Sequence, residues 1–121
     1  MASIFEVTAG KAIGSTNGGT VTQATNKGTG VTLNTESGQI TLNNAALADG
    51  AEATFTVTND RVSATDLVHD VHSSAGTAGA YVVQNSAVAA GSFKVTVGNV
   101  SGGALSEAIV LTFHLFKGAS S

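Results

Sequence analysis

Apolar residues fall on every second position in a series of short stretches between Gly19 and Asn99. That period constrains the fold more than any other feature of the chain. In Ala53-Thr54-Phe55-Thr56-Val57-Thr58-Asn59 and Ser92-Phe93-Lys94-Val95-Thr96-Val97 the side chains alternate between apolar and polar. A period of two is the pattern of a pleated strand with one face buried and one face wet. The wet face is made mostly of Thr, Ser, Gln and Asn rather than Lys and Glu. Threonine keeps the β-branch that suits a strand and offers a hydroxyl without a long charged stem to order. Such a surface suits lying against another protein better than performing chemistry, and so points to a structural or binding protein.

The totals narrow the possibilities further. A chain of 121 residues is one domain and buries roughly two-thirds of its unfolded surface, enough for a core without staples. It has no cysteine, hence no disulfide or thiol chemistry, and the redox compartment stays open. With no proline and 15 glycines, its turns fall to Gly, Asn and Asp. Charged residues make up 11%, against about 25% in ordinary soluble domains, so part of the surface is expected to be covered in the working state. The net charge is -3, and the cations are Lys11, Lys27, Arg61, Lys94 and Lys117. They are too few and too scattered for the footprint of a nucleic-acid binder. Met1-Ala2-Ser3-Ile4-Phe5-Glu6 lacks the basic and apolar regions of a signal peptide. No apolar run approaches the length of a membrane span, so no membrane partner is expected.

Strands are predicted over residues 20–24, 31–34, 39–42, 51–59, 66–72, 79–85, 92–98 and 106–117, with residues 4–8 a first strand or an arm. Asn26-Lys27-Gly28 and Ser37-Gly38 read as turns. Residues 45–50 are too short to nucleate a helix, end in Asp49-Gly50, and read as a connector. Strands spaced 8–12 residues apart with turn signals between them predict an all-β sandwich or barrel. The expectation is a single-domain antiparallel β-sandwich, jelly-roll-like, over residues 19–121, preceded by a short N-terminal arm over 1–18. There is also an internal echo. Asn44-Ala45-Ala46-Leu47-Ala48-Asp49-Gly50 resembles Asn85-Ser86-Ala87-Val88-Ala89-Ala90-Gly91, and each leads into a Phe-x-Val strand that ends at Asn59 or Asn99. This reads as one loop-into-strand solution used twice, with an Ala/Leu plug closing an end of the core.

The last strand is different. Ile109, Leu111, Phe113 and Leu115 share one face, while Val110, Thr112, His114 and Phe116 give the opposite face a largely apolar character too. A strand apolar on both faces is covered on both. One face meets the core. Either a neighbouring subunit or the N-terminal arm, through Ile4 and Phe5, covers the other. These six residues, Ile4, Phe5, Val110, Thr112, His114 and Phe116, are the expected interface with another subunit or a partner protein.

Candidate chemistry is sparse. In Asp66-Leu67-Val68-His69-Asp70-Val71-His72 the two histidines, three apart on a strand, point to opposite faces and cannot share a metal. One face gathers Asp66, Val68, Asp70 and His72, at most a weak metal or ion-pair site. The other holds Leu67, His69 and Val71, where His69 reads as an interface histidine rather than a catalyst. No serine lies in a Gly-x-Ser-x-Gly elbow, and Gly18-Gly19 and Gly102-Gly103 lack the Lys-Ser/Thr of a phosphate loop. Asn99-Val100-Ser101 matches a glycosylation sequon by chance composition. One Tyr, no Trp and five Phe at mostly inward positions give no aromatic platform for sugars or bases. No catalytic residue, cofactor or metal is expected, and the chain does not read as an enzyme.

Several runs carry a resemblance: residues 20–34, Gly38-Gln39-Ile40-Thr41-Leu42-Asn43-Asn44-Ala45-Ala46-Leu47-Ala48, Ala89-Ala90-Gly91-Ser92-Phe93, and Asn99-Val100-Ser101-Gly102-Gly103-Ala104-Leu105-Ser106-Glu107-Ala108. In their order, over about residues 19–118, they resemble small virion proteins of tailed bacteriophages: capsid decoration (cement) proteins and head-fibre-like modules. The resemblance implies a sandwich that oligomerises on the outer capsid surface and bridges major capsid proteins, with no catalytic residues. A homotrimer at three-fold positions is favoured over a homodimer. The first 18 residues fall outside the resemblance and are expected to form a capsid-contacting or swapping arm. Two other classes stay open. A receptor- or glycan-binding module of a phage fibre or spike would use loops 73–79 and 100–106. A small glycan hydrolase would need two carboxylates facing across a cleft, and the eight acids fall mostly in turns or on outward faces.

Overall fold

A computed structural model describes residues 18–118. The expected N-terminal arm, with Ile4 and Phe5, lies outside the described residues. Eight strands follow in order: β1 (Thr20–Thr22), β2 (Val31–Thr32), β3 (Ser37–Thr41), β4 (Glu52–Thr58), β5 (Leu67–Ser74), β6 (Tyr81–Ala89), β7 (Ser92–Asn99) and β8 (Val110–Phe116). They form two four-stranded sheets, β1-β3-β8-β5 and β2-β4-β7-β6. This is the expected all-β sandwich.

The pairing is antiparallel for β3–β8, β4–β7, β5–β8 and β6–β7. The edge pairs β1–β3 and β2–β4 are parallel, a departure from a purely antiparallel sandwich. The cause is the path of the chain. From β1 to β4 it passes to the opposite sheet at every step, so β3 re-enters the first sheet in the direction of β1, and β4 enters the second in the direction of β2.

The core lies where the inner faces meet. Ile109, Leu111, Phe113 and Leu115, Phe55 and Val57, and Phe93, Val95 and Val97 are all buried. Phe93 and Phe113, one from each sheet, meet with ring centroids 5.7 Å apart. Apolar side chains alternate with polar ones along β4 and β7, as the sequence pattern requires. The outer face of the second sheet is the threonine surface expected. Thr54 and Thr96 share a hydroxyl hydrogen bond of 2.8 Å, and Lys94 Nζ donates to Thr56 Oγ1 at 3.3 Å.

Three local expectations are corrected. Ser37 and Gly38 are not a turn but the start of β3. A Cβ at Gly38 would meet Leu33 Cδ2 at 2.7 Å, Gly19 O at 3.0 Å and Phe113 Cε2 at 3.1 Å. This glycine therefore marks the close approach of β3 to its neighbours, the other use of glycine within strands. The second copy of the echo is not a loop. Residues 85–89 belong to β6, which continues past a register shift between Ser86 and Ala89, with Ala87 at φ 52°. In the first copy Leu47 is indeed buried, bridged to Leu105 outside the main ladders. The last strand starts at Val110, four residues later than expected, because Leu105 pairs with Leu47 instead.

Both asparagines that end the echoed strands are wholly buried. Asn59 Nδ2 donates to Thr35 O and Asn99 Nδ2 to Leu47 O and Gly103 O. Their Oδ1 atoms accept from the backbone two residues on, at Arg61 and Ser101, which closes an Asx turn after each strand. The sequon amide of Asn99 is thus committed inside the fold. Lys27, expected in a turn, is 4% exposed. Its ammonium donates to Asn43 O at 2.6 Å, Ala45 O at 2.7 Å and Glu107 O at 2.9 Å. Three donors meet three carbonyls, two from the loop after β3 and one from the loop before β8.

Candidate functional site

The residues predicted for an interface come together on the outer face of the first sheet. Thr112 of β8 lies opposite Gln39 of β3 and Val71 of β5, and His114 opposite Ser37 and His69. Phe116 lies opposite Leu67, and Val110 opposite Thr41. On the β1 edge, Thr20 and Thr22 pair with Gln39 and Thr41. None of these outward side chains is Asp, Glu, Lys or Arg. Leu67 is 65% exposed, Phe116 49% and Val71 40%. The His114 and Phe116 rings lie 4.5 Å apart. At the far end, Thr112 Oγ1 donates to Ser73 Oγ at 2.7 Å, and Ser73 Oγ donates to Val110 O. Within the described residues, Val110, Thr112 and His114 are half-covered by their strand neighbours and Phe116 projects. Ile4 and Phe5, the remaining two of the expected set, lie outside the described residues.

The opposite face of β5 holds Asp66, Val68, Asp70 and His72, as the alternation predicts, but they do not form one cluster. Asp66, just before β5, is 1% exposed in its side chain. Burial pushes its carboxyl up. The Lys117 ammonium at 2.5 Å and the Gly118 and Ser63 backbone N–H groups outweigh that and hold it below the ordinary range. Its ion-pair partner is Lys117, which lies outside the expected group of Asp66, Asp70 and His72. Val68 belongs to the core. His72 Nε2 lies 2.5 Å from Ala75 O, and its ring meets Tyr81 edge-on at 5.4 Å. Among the described residues, no three His, Asp or Glu side chains gather as metal ligands.

Asp70 is the anomaly of this face. It points into the sandwich opposite Phe113, close to the seam where Asn85 Nδ2 of β6 donates to Val68 O at 3.1 Å. Asp70 is 8% exposed, and neither of its oxygens, nor Asn85 Oδ1, completes a hydrogen bond. Burial pushes its carboxyl up to about 7, against a weaker opposing pull from the Val71 backbone N–H. The sign follows from linkage. The folded chain holds this proton more tightly than the unfolded one, so stability falls as pH rises from about 4 to about 7 and levels off above that. Asp70→Asn removes the ionisation while keeping the shape. It is expected to raise stability above neutral pH by about 2–4 kcal/mol and to flatten the profile between those limits. Urea melts of both proteins across that range check this. Equal midpoints above neutral pH would contradict it.

Loop 73–79, which sequence reading gave to a ligand in the fibre alternative, borders a depression of about 320 Å³ whose lining includes His72. Ala75, Gly76 and Gly79 there adopt positive φ angles of 60°, 76° and 75°. Among the described residues, no carboxylate lines the depression. Glu107 works behind the loop. Its carboxylate accepts from Thr77 N at 2.9 Å, Thr77 Oγ1 at 2.8 Å and Tyr81 OH at 2.8 Å. These bonds hold Glu107 below the usual carboxylate range, while burial and Glu107 push the Tyr81 hydroxyl up to about 12. The group fastens the loop to the sandwich edge.

Searches of protein families, of curated proteins and of solved structures found nothing that matches this chain.

Proposed function

We propose that this chain is a structural virion protein, a decoration or cement protein that binds the outer surface of a tailed-phage head and stabilises contacts between major capsid proteins. The observation that carries the reading is the outer face of the β1-β3-β8-β5 sheet. Among the described residues it carries no Asp, Glu, Lys or Arg, and Leu67, Val71 and Phe116 stand exposed on it. An uncharged sheet face of Thr, Ser, Gln and His with three large apolar side chains exposed on it fits an interaction surface. The order of sequence runs that resembles phage decoration proteins supplies the kind of partner. A cement protein must add binding free energy across capsomer boundaries. A closed homo-oligomer does this with modest contacts, because each later contact is intramolecular. A trimer is the favoured assembly.

Phe116→Asp tests the role of the face. The side chain is half exposed, so the fold tolerates the change, while a carboxylate beside exposed Leu67 at this end of the ladder opposes docking. Sedimentation of wild type and variant, alone and with phage heads, is expected to show loss of assembly or of head occupancy at an unchanged melting temperature. Unchanged assembly and occupancy would remove this face from the account. The second reading is a glycan-binding module of a fibre, for which the depression beside loop 73–79 is the observation. Saturable binding to a polysaccharide array, without head binding, would favour it.

A further inference from the structure

We propose that His69 and His114 form a two-imidazole anchor for a borderline divalent metal ion, of which Zn²⁺ is the representative. The two residues are direct partners in the β5–β8 ladder and sit on the same outward face. Directly opposed residues have Cβ atoms about 4.5–5.5 Å apart. From there two imidazoles can converge on one ion at metal–nitrogen distances of about 2.0–2.1 Å.

The surroundings favour metal over proton or structural use. His114 Nδ1 is shielded from solvent and has no hydrogen-bond partner. An orphaned ring nitrogen is costly, and coordination relieves it. Among the described residues, no Lys or Arg of these ladders stands on this face to repel a cation, and no Asp or Glu there competes with the imidazoles as ligand. Leu67, Val71 and Phe116 flank the pair in register and reduce competition from water. Neutral imidazole is a ligand that zinc, copper and nickel accept well, and calcium and magnesium do not. Two protein ligands leave coordination positions open, so the ion would also be available to a donor from whatever docks on the face. His72 takes no part. It lies on the opposite side of β5, held by Ala75 and Tyr81.

The site is independent of the capsid reading and is tested without it. Untagged protein in a mildly alkaline buffer is titrated with zinc chloride by calorimetry and by NMR of the histidine ring protons. The expected result is saturable binding of one ion per chain, with the His69 and His114 resonances shifting and those of His72 unmoved. His69→Gln and His114→Gln should each abolish the heat while leaving the melting temperature of the apo protein near wild type, and His72→Gln should retain binding. Absence of saturable binding, or binding that survives His69→Gln, would overturn the proposal.

Discussion

Phe113→Ala is expected to lower the stability of the fold by about 3–5 kcal/mol. The ring is fully buried at the centre of the sandwich, tilted against Phe93 of the other sheet at 5.7 Å. Its far edge lies where a Cβ on Gly38 would stand, 3.1 Å from Cε2. Removing the ring therefore leaves a cavity bounded by both sheets, and β3 can relax into it only by giving up its ladder with β8. Phe93→Ala and Phe55→Ala fall in the same range, since their rings are also buried. Urea unfolding of the three variants checks the phasing of β4, β7 and β8 together. Midpoints near wild type for all three would mean that these rings do not form the core.

Lys27→Met is expected to be comparably severe, although it replaces a charge with an apolar side chain of similar length. The ammonium satisfies Asn43 O, Ala45 O and Glu107 O. Gln23, also buried, stitches the same loop through Lys27 O and Thr29 O and accepts from Asn43 N. Burial lowers the lysine pKa and the field of Glu107 raises it. The three carbonyls have no other partner of equal strength once the ammonium is gone. A buried polar group left unsatisfied costs about 1–3 kcal/mol, so a total of about 3–5 kcal/mol is expected once the loops relax. Lys27→Arg should rescue little, because a planar guanidinium does not fit a tripod of carbonyls. Thermal melts of both variants measure this. A Lys27→Met protein within about 1 kcal/mol of wild type would show that the loops satisfy their own carbonyls.

The strands were legible because strand periodicity is a local signal. Each of β1 to β8 overlaps a stretch that the sequence predicts as a strand, and the two faces of β8 and of β5 follow from alternation. What depends on register was not legible. His69 and His72 fall on opposite faces of β5, as alternation requires, but the cross-strand neighbour of His69, His114, lies 45 positions away and is brought beside it only by the β5–β8 ladder. Lys27 looked like an ordinary turn residue, because its three acceptors lie 16, 18 and 80 positions distant. Gly38 reads as a turn in the sequence because glycine serves both turns and close backbone approach, and only the position of Phe113 distinguishes them. The strand-like extension of residues 85–89 was obscured by their Ala content, which suggests a loop when read without the β7 partner strand. Of the candidate interface, the four residues on β8 share one face as expected, while the contribution of Leu67 and Val71 from β5 needed the sheet order.

The central claim is that this sandwich docks on phage heads as an oligomer. Its most direct test is the mass of the purified protein by light scattering, alone and then mixed with a panel of tailed-phage heads prepared without their decoration protein. The account predicts a discrete oligomer, favouring a trimer, that co-sediments with heads of at least one phage and raises their resistance to heat. A monomer, or an oligomer that leaves every head unoccupied, would contradict it.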